Sequence, residues 1–444
     1  MKMKARAMVR ISVMIALLAT LSGFELSAQN KPLFVPLQNN VLGALYMPDS
    51  GPAPHVGIVV MHREGNYMSN IACTEFSKRG FAVLCMNSRF YNSESDVNWE
   101  LIPLDVAQGV NYLRNVQHMT QVVLYGNSGG GVTMSFYQAV AERGPSVCQG
   151  SQKLMSCGNN VAGLTPADGI ILVDGHPGNP ILRLRSLNPS LIDSDDLDYP
   201  TRNPELDPFD PQNGYNASGP SNYSEAFKEK YFRAQAERMD RLIALARQKL
   251  QQLQEGKGTY TDDAPFDIPG FDGARLLSLD LSIRHTTLQP EKLLKNDGTI
   301  VTQTIANIAP PRPELAQSSR TFQSGARGGL TVKSFLSANA IRATNSMDEE
   351  QIELCSTNNS TPCMLQNVTV PVLVAAMQAS FQNLLQEMER NYLYAKSKDK
   401  DFIVVEGATT GVTPCTNCGG SPGQYSNATK NFFDYAAAWI RARF

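Results

Sequence analysis

Residues 122–131 read Val122-Val123-Leu124-Tyr125-Gly126-Asn127-Ser128-Gly129-Gly130-Gly131. Four apolar strand formers run into a glycine cluster with a single serine in it. A helical pattern over residues 132–141 follows. The order strand, tight turn, helix is the consequence. A serine at such a turn is forced into a strained backbone conformation, and glycines two before and two after it let strand and helix approach closely. The Ser128 oxygen is then presented above the sheet edge, and the Gly129 N–H, at the helix N-terminus, can point at a developing oxyanion. Ser128 is therefore the candidate nucleophile and Gly129 the first oxyanion donor, with Asn127 beside them in the pocket.

Similar apolar runs flank this stretch. Residues 56–61, 81–86 and 170–173 are three, and residues 370–375 and 402–405 follow much later. Runs this continuous suit strands covered on both faces. Helical patterns separate them, at residues 70–78, 101–113, 132–141 and 432–440. Strand and helix in alternation argue for a mostly parallel α/β sheet flanked by helices.

The alternation stops between about residues 178 and 366. A Pro, Asp and Asn-rich stretch, 188–220, reads as irregular. Residues 222–254 then read as one helix, with Asn222 and Glu225 as its N-terminal cap and Gly256 as its stop. Phe227, Tyr231, Ala234, Met239, Leu242, Leu245 and Leu253 form its apolar stripe. The resulting organisation is a leader at 1–28, a first core half at 29–179, a largely helical or irregular cap insertion at 180–365, and a second core half at 366–444. An insertion at that point is placed to cover a site at the strand ends.

The N-terminal residues Lys2, Lys4, Arg6 and Arg10 precede an apolar segment, 11–21, and the small residues Ser27 and Ala28. This pattern reads as a secretory signal peptide, which implies export to a periplasmic or extracellular compartment. No other segment is long and apolar enough to span a bilayer once the leader is cleaved. Export permits disulfides. Cys148 with Cys157, Cys355 with Cys363, and Cys415 with Cys418 are close in sequence and are disulfide candidates, whereas Cys73 and Cys85 read as buried small hydrophobes. The Asn-x-Ser/Thr triplets at Asn216, Asn222, Asn359, Asn367 and Asn427 matter only in a glycosylating host. With 39 Lys and Arg against 41 Asp and Glu, the net charge of −2 gives no electrostatic reason for a nucleic-acid partner. One CxxC without a second does not make a metal site, and nothing in the sequence calls for a metal or cofactor.

The chain resembles the α/β-hydrolase superfamily. The run Ile58-Val59-Val60-Met61-His62-Arg63-Glu64-Gly65-Asn66, a helix, and then Arg79-Gly80-Phe81-Ala82-Val83-Leu84 looks like the dienelactone-hydrolase branch. The resemblance covers roughly residues 40–180 and 366–444, and implies an α/β-hydrolase fold and a small-molecule, ester-like substrate. It places the second oxyanion N–H at Arg63 or Glu64, with His62 a structural residue at the pocket and Glu64 in an ion pair with a nearby Arg. It also implies a base in a Gly-Ala-x-His-Gly turn after the last strand. Here that turn is Gly407-Ala408-Thr409-Thr410-Gly411, so Thr410 stands at the histidine position. The acid position after the preceding strand, in Gln378-Ala379-Ser380-Phe381, holds no carboxylate.

Five histidines could substitute. His55 and His118 precede strands and fall at the far edge, and His285 is in the insertion. His62 and His176 lie just beyond strand ends neighbouring that of Ser128, where ligands bind. Asp174, two residues before His176, is the candidate acid, and His176 the candidate base. Three functions remain open: an esterase-like serine hydrolase with a rearranged base, a catalytically impaired hydrolase relative that binds a ligand or partner, and a thiol-redox protein built on Cys415 and Cys418.

Overall fold

The computed structural model describes residues 31–192, 201–271, 274–283, 286–311 and 329–444. The leader at 1–28 and His285 lie outside the described residues. One sheet of ten strands organises the chain, in the order β1-β2-β4-β3-β5-β6-β11-β12-β9-β10. These are β1 (Leu33–Pro36), β2 (Leu42–Tyr46), β3 (Val56–His62), β4 (Ala82–Asn87), β5 (Gln121–Asn127), β6 (Gly169–Val173), β9 (Glu291–Leu294), β10 (Ile300–Gln303), β11 (Val372–Met377) and β12 (Lys400–Val405). The remaining two, β7 (Leu191–Ile192) and β8 (Thr201–Arg202), form a separate two-stranded ladder. Strands β4, β3, β5, β6, β11, β12 and β9 are mutually parallel, while β1, β2 and β10 run antiparallel to their neighbours.

The chain goes from β3 outward to β4, then returns past β3 to β5 and continues to β6. The winding direction thus reverses between β3 and β5, and ligands bind beyond the carboxyl ends of strands at such a reversal. A mixed sheet in this order, with a serine turn after β5, is the α/β-hydrolase fold.

The apolar runs are continuous because both faces of the sheet are covered. On β3, Ile58 and Val60 face one cluster with Phe76 and Phe433, while Val59 and Met61 face another with Val106 and Phe136. Helix α1 (Ile71–Ser77) and the C-terminal helix Ala428–Arg441 supply the first layer, and α2 (Ile102–Asn115) and α3 (Gly129–Arg143) the second. The same division runs through β5, β6, β11 and β12.

Three expectations change. Cys73 and Cys85 are not free hydrophobes: α1 packs on β4, which brings their Cα atoms to 6.1 Å, and they form a disulfide. With Cys148–Cys157, Cys355–Cys363 and Cys415–Cys418 there are four disulfides among the described residues. The long cap helix α5 (Glu225–Gln254) is capped by Ser224, whose side chain accepts from Phe227 N, rather than by Asn222. Leu245 on α5 is exposed. The buried stripe instead includes Gln235, Arg238 and Ala246, and Arg238 donates to the Asn188 and Pro269 carbonyls at 2.6 and 2.9 Å.

The insertion has two hydrophobic clusters of its own. One joins α4 (Asn179–Ser186) to α5 and to the helix Val332–Ala338, and the other gathers Phe209, Tyr223, Phe227 and Tyr231. Part of the insertion is not a cover at all, since the β9–β10 hairpin extends the core sheet beyond β12.

Candidate active site

Ser128 sits between β5 and α3 with φ 54° and ψ −122°. A non-glycine residue there costs about 1–3 kcal/mol, which the surrounding structure must hold in place. The Ser128 N–H donates to the Val173 carbonyl at 2.9 Å, and its own carbonyl accepts from Gly131 N at 2.9 Å. A Cβ on Gly126 would overlap the Gly130 carbonyl, so the close strand-to-helix approach needs glycine there. Asn127 is buried and ties three segments together. Its Nδ2 donates to the Val173 carbonyl at 3.0 Å and to the Thr410 carbonyl at 2.8 Å, and its own carbonyl accepts from Tyr67 Oη at 3.0 Å. Asn127 is thus a clamp under the site.

Two imidazoles meet at Gly129. A Cβ on that residue would overlap His62 Nε2, and would lie 3.0 Å from His62 Cε1 and 3.2 Å from His176 Nε2. The structure therefore joins His62, His176 and the residue next to the nucleophile, from the ends of β3, β6 and β5. His62 Nδ1 accepts from Glu64 N at 3.3 Å and Gly65 N at 3.1 Å, and its ring stacks on Tyr67 with centroids 5.0 Å apart. The Glu64 N–H is therefore turned toward His62.

His176 is buried, and its Nδ1 has no hydrogen-bond partner among the described residues. Burial, together with the positive charge of Arg63, pushes its pKa well below the ordinary 6.5. Its ring is therefore neutral at pH 7. The Glu64 carboxylate pairs with its neighbour Arg63. Burial opposes its ionisation, but the Arg63 guanidinium beside it above all outweighs that and holds it at about 2. Among the described residues, charges that reach the site from the cap include Arg183, felt by Glu64, and Arg275, felt by His176.

Asp174 and His176 do not pair. Asp174 ends β6 with φ 44° and is fully buried. Its Oδ2 accepts from Ser380 Oγ at 2.8 Å and Asn383 Nδ2 at 3.1 Å. Thr410 Oγ1 stands beside this carboxyl, 3.2 Å from Ser380 Oγ, while Asp174 Oδ1 has no hydrogen-bond partner among the described residues. Burial nevertheless raises the Asp174 pKa above the ordinary 3.8. The carboxyl is thus turned toward the loop after β12, where the family resemblance puts the base, and it meets a hydroxyl there.

The Thr410 loop is closely tied. Thr409 N donates to the Thr413 carbonyl at 2.8 Å and Cys415 N to the Gly407 carbonyl at 2.8 Å, while Cys415 and Cys418 are joined. His55 lies at the opposite end of the sheet, beside Phe444. Ser380, Asn383, Tyr67 and Arg275 are site residues that the sequence pattern did not single out. Only Ser380 left a signal, as the residue standing where a carboxylate was sought. A cavity of about 490 Å³ lined by Arg185, Lys228, Phe232, Met347, Leu384 and Arg390 lies between cap and core, and Ser128 is not among its walls.

No protein-family model and no curated protein matches the chain. Solved structures do. Est1E from Butyrivibrio proteoclasticus matches with 9% identity and a TM-score of 0.41, over 93% of this chain and 98% of that one. A thermostable carboxyl esterase from Bacillus coagulans, in complex with glycerol, matches with 10% identity and a TM-score of 0.40, over 93% and 98%. The siderophore hydrolase EstB from Aspergillus fumigatus matches with 9% identity and a TM-score of 0.42, over 93% and 98%.

Proposed function

We propose that the chain is an exported serine hydrolase that cleaves an ester or related acyl bond of a small molecule through Ser128. The observation that carries this reading is the strained Ser128 turn at the sheet's winding reversal, with two imidazoles against Gly129. The resemblance of residues 58–66 to the dienelactone-hydrolase branch belongs to the same proposal. It makes the Arg63 N–H the partner of the Gly129 N–H in the oxyanion hole, since the Glu64 N–H serves His62. Four disulfides support an oxidising compartment.

In this reading Ser128 Oγ attacks the acyl carbon while its proton passes to His176 Nε2. The tetrahedral oxyanion is held by backbone N–H groups, and the imidazolium returns the proton to the departing alkoxide. Among the described residues no acid orients His176 at Nδ1. In a Ser-His-Asp enzyme, disabling the orienting acid costs about 10⁴-fold in turnover. Slow hydrolysis is the corollary.

A second reading has its own observation. Ser128 Oγ makes no hydrogen bond among the described residues, and Asp174 meets Thr410 rather than an imidazole. On that reading the pocket binds a ligand without turning it over. Hydrolysis of short p-nitrophenyl esters separates the two. Turnover abolished by Ser128→Ala supports the hydrolase. No turnover, with ester-induced thermal stabilisation retained, supports the binder.

A further inference from the structure

His62 ends β3 and packs against Gly129, and its tautomer can be read from its partners. Two backbone N–H groups, of Glu64 and Gly65, point at Nδ1 at 3.3 and 3.1 Å. A nitrogen accepting two such bonds cannot carry a proton, so the neutral ring bears its hydrogen on Nε2. The Glu64 carboxylate also lies near Nδ1, at 3.4 Å, but it is engaged by Arg63. Stacking on Tyr67 fixes the ring plane, and Tyr67 in turn donates to the Asn127 carbonyl, one residue before the nucleophile. The protonated Nε2 therefore has one set direction. It lies against Gly129, in the space a Cβ would take.

We infer that His62 is a catalytic residue that donates its Nε2–H to the substrate carbonyl oxygen as that oxygen becomes an oxyanion, alongside the Gly129 N–H. This rests on the hydrolase reading of Ser128. Chemically it is a neutral imidazole acting as an electrophile. An N–H fixed in advance at the place where negative charge develops stabilises the transition state more than the ground state. It also divides the two histidines. His62 cannot take the serine proton, because the nitrogen facing the site already holds one, so the role of base falls to His176.

Two substitutions separate this role from a purely structural one. His62→Asn keeps an acceptor near the Nδ1 position for Glu64 N and Gly65 N but removes the distal donor. His62→Gln keeps a distal N–H and loses the acceptor. The expected result is a fall in kcat of about 10²–10³-fold for H62N with KM nearly unchanged, and a kcat for H62Q within about tenfold of the wild type. The reverse order, H62Q severe and H62N mild, would show that His62 only holds the turn. The wild-type protein gives a check that needs no variant to fold. In ¹⁵N spectra of labelled histidine at pH 7, the His62 signal should show a bare Nδ1 and a protonated Nε2. A protonated Nδ1 overturns the inference while leaving the hydrolase reading intact. If the wild type turns over no ester at all, the hydrolase reading fails and the donor role fails with it.

Discussion

Replacing Thr410 by histidine is expected to speed ester hydrolysis sharply. Thr410 already touches the Asp174 carboxyl, and its hydroxyl lies 3.2 Å from Ser380 Oγ, which donates to the same carboxyl at 2.8 Å. An imidazole built from the same Cα would set Nδ1–H toward Asp174 and Nε2 on the side of Ser128. Asp174 is held toward its neutral form by burial. A neighbouring imidazole that becomes positive in the transition state favours the carboxylate. A positioned general base contributes about 10²–10⁴-fold, equivalent to about 3–5 kcal/mol of barrier. The Thr410 hydroxyl contact with Ser380 is lost, at about 1 kcal/mol of stability. The assay is kcat for p-nitrophenyl butyrate across pH 5–9, with Asp174→Asn and Ser128→Ala each added to the T410H background. T410H should gain activity with an apparent pKa near the ordinary imidazole range, D174N should remove most of the gain, and S128A all of it. A folded T410H variant with no gain, or a gain that survives D174N, would refute the placement of Asp174 and residue 410 on the proton path.

Two further outcomes follow from the charges and cross-links. Glu64 is held at about 2 against an ordinary 4.5. As pH falls the unfolded chain therefore binds that proton first. The stability Glu64 contributes is complete above 4.5 and is lost between 4.5 and about 2, by up to about 3 kcal/mol. The denaturant midpoint should fall less between pH 6 and pH 3 for Glu64→Gln than for the wild type, and parallel profiles would contradict this. The Cys73–Cys85 disulfide spans 12 residues, a loop whose closure contributes about 3 kcal/mol in the chain-entropy account. The double variant Cys73→Ala/Cys85→Ala should lower the denaturant midpoint accordingly, and unchanged stability would show that the pair does not close in solution.

What the sequence disclosed follows from what the sheet buries. Residues 56–61, 122–125 and 170–173 are apolar without a break because helices cover both faces, and this made the parallel core legible. The strand β10 is exposed from Ile300 to Gln303, so it has no such pattern, and β1, with Leu33 and Phe34 exposed, also escaped. Ser128 was legible because its glycines answer a local steric demand. Asp174 was visible as a strand-end carboxylate, but its partners Ser380 and Asn383 come from the far side of β11 in sequence and carry no motif. The Cys73–Cys85 link was hidden for the same reason: it depends on how α1 sits on β4, which no spacing rule encodes. The tautomer of His62 is a further step removed, being set by two backbone N–H groups of the turn after β3.

The central claim is that Ser128 is a reactive nucleophile. It is tested most directly by treating the intact protein with a fluorophosphonate and locating the adduct by peptide mass spectrometry. The account predicts a single phosphonylated site at Ser128, slow to form and absent from Ser128→Ala. A wild-type protein that stays unlabelled at Ser128, while properly folded and with all four disulfides closed, would contradict it.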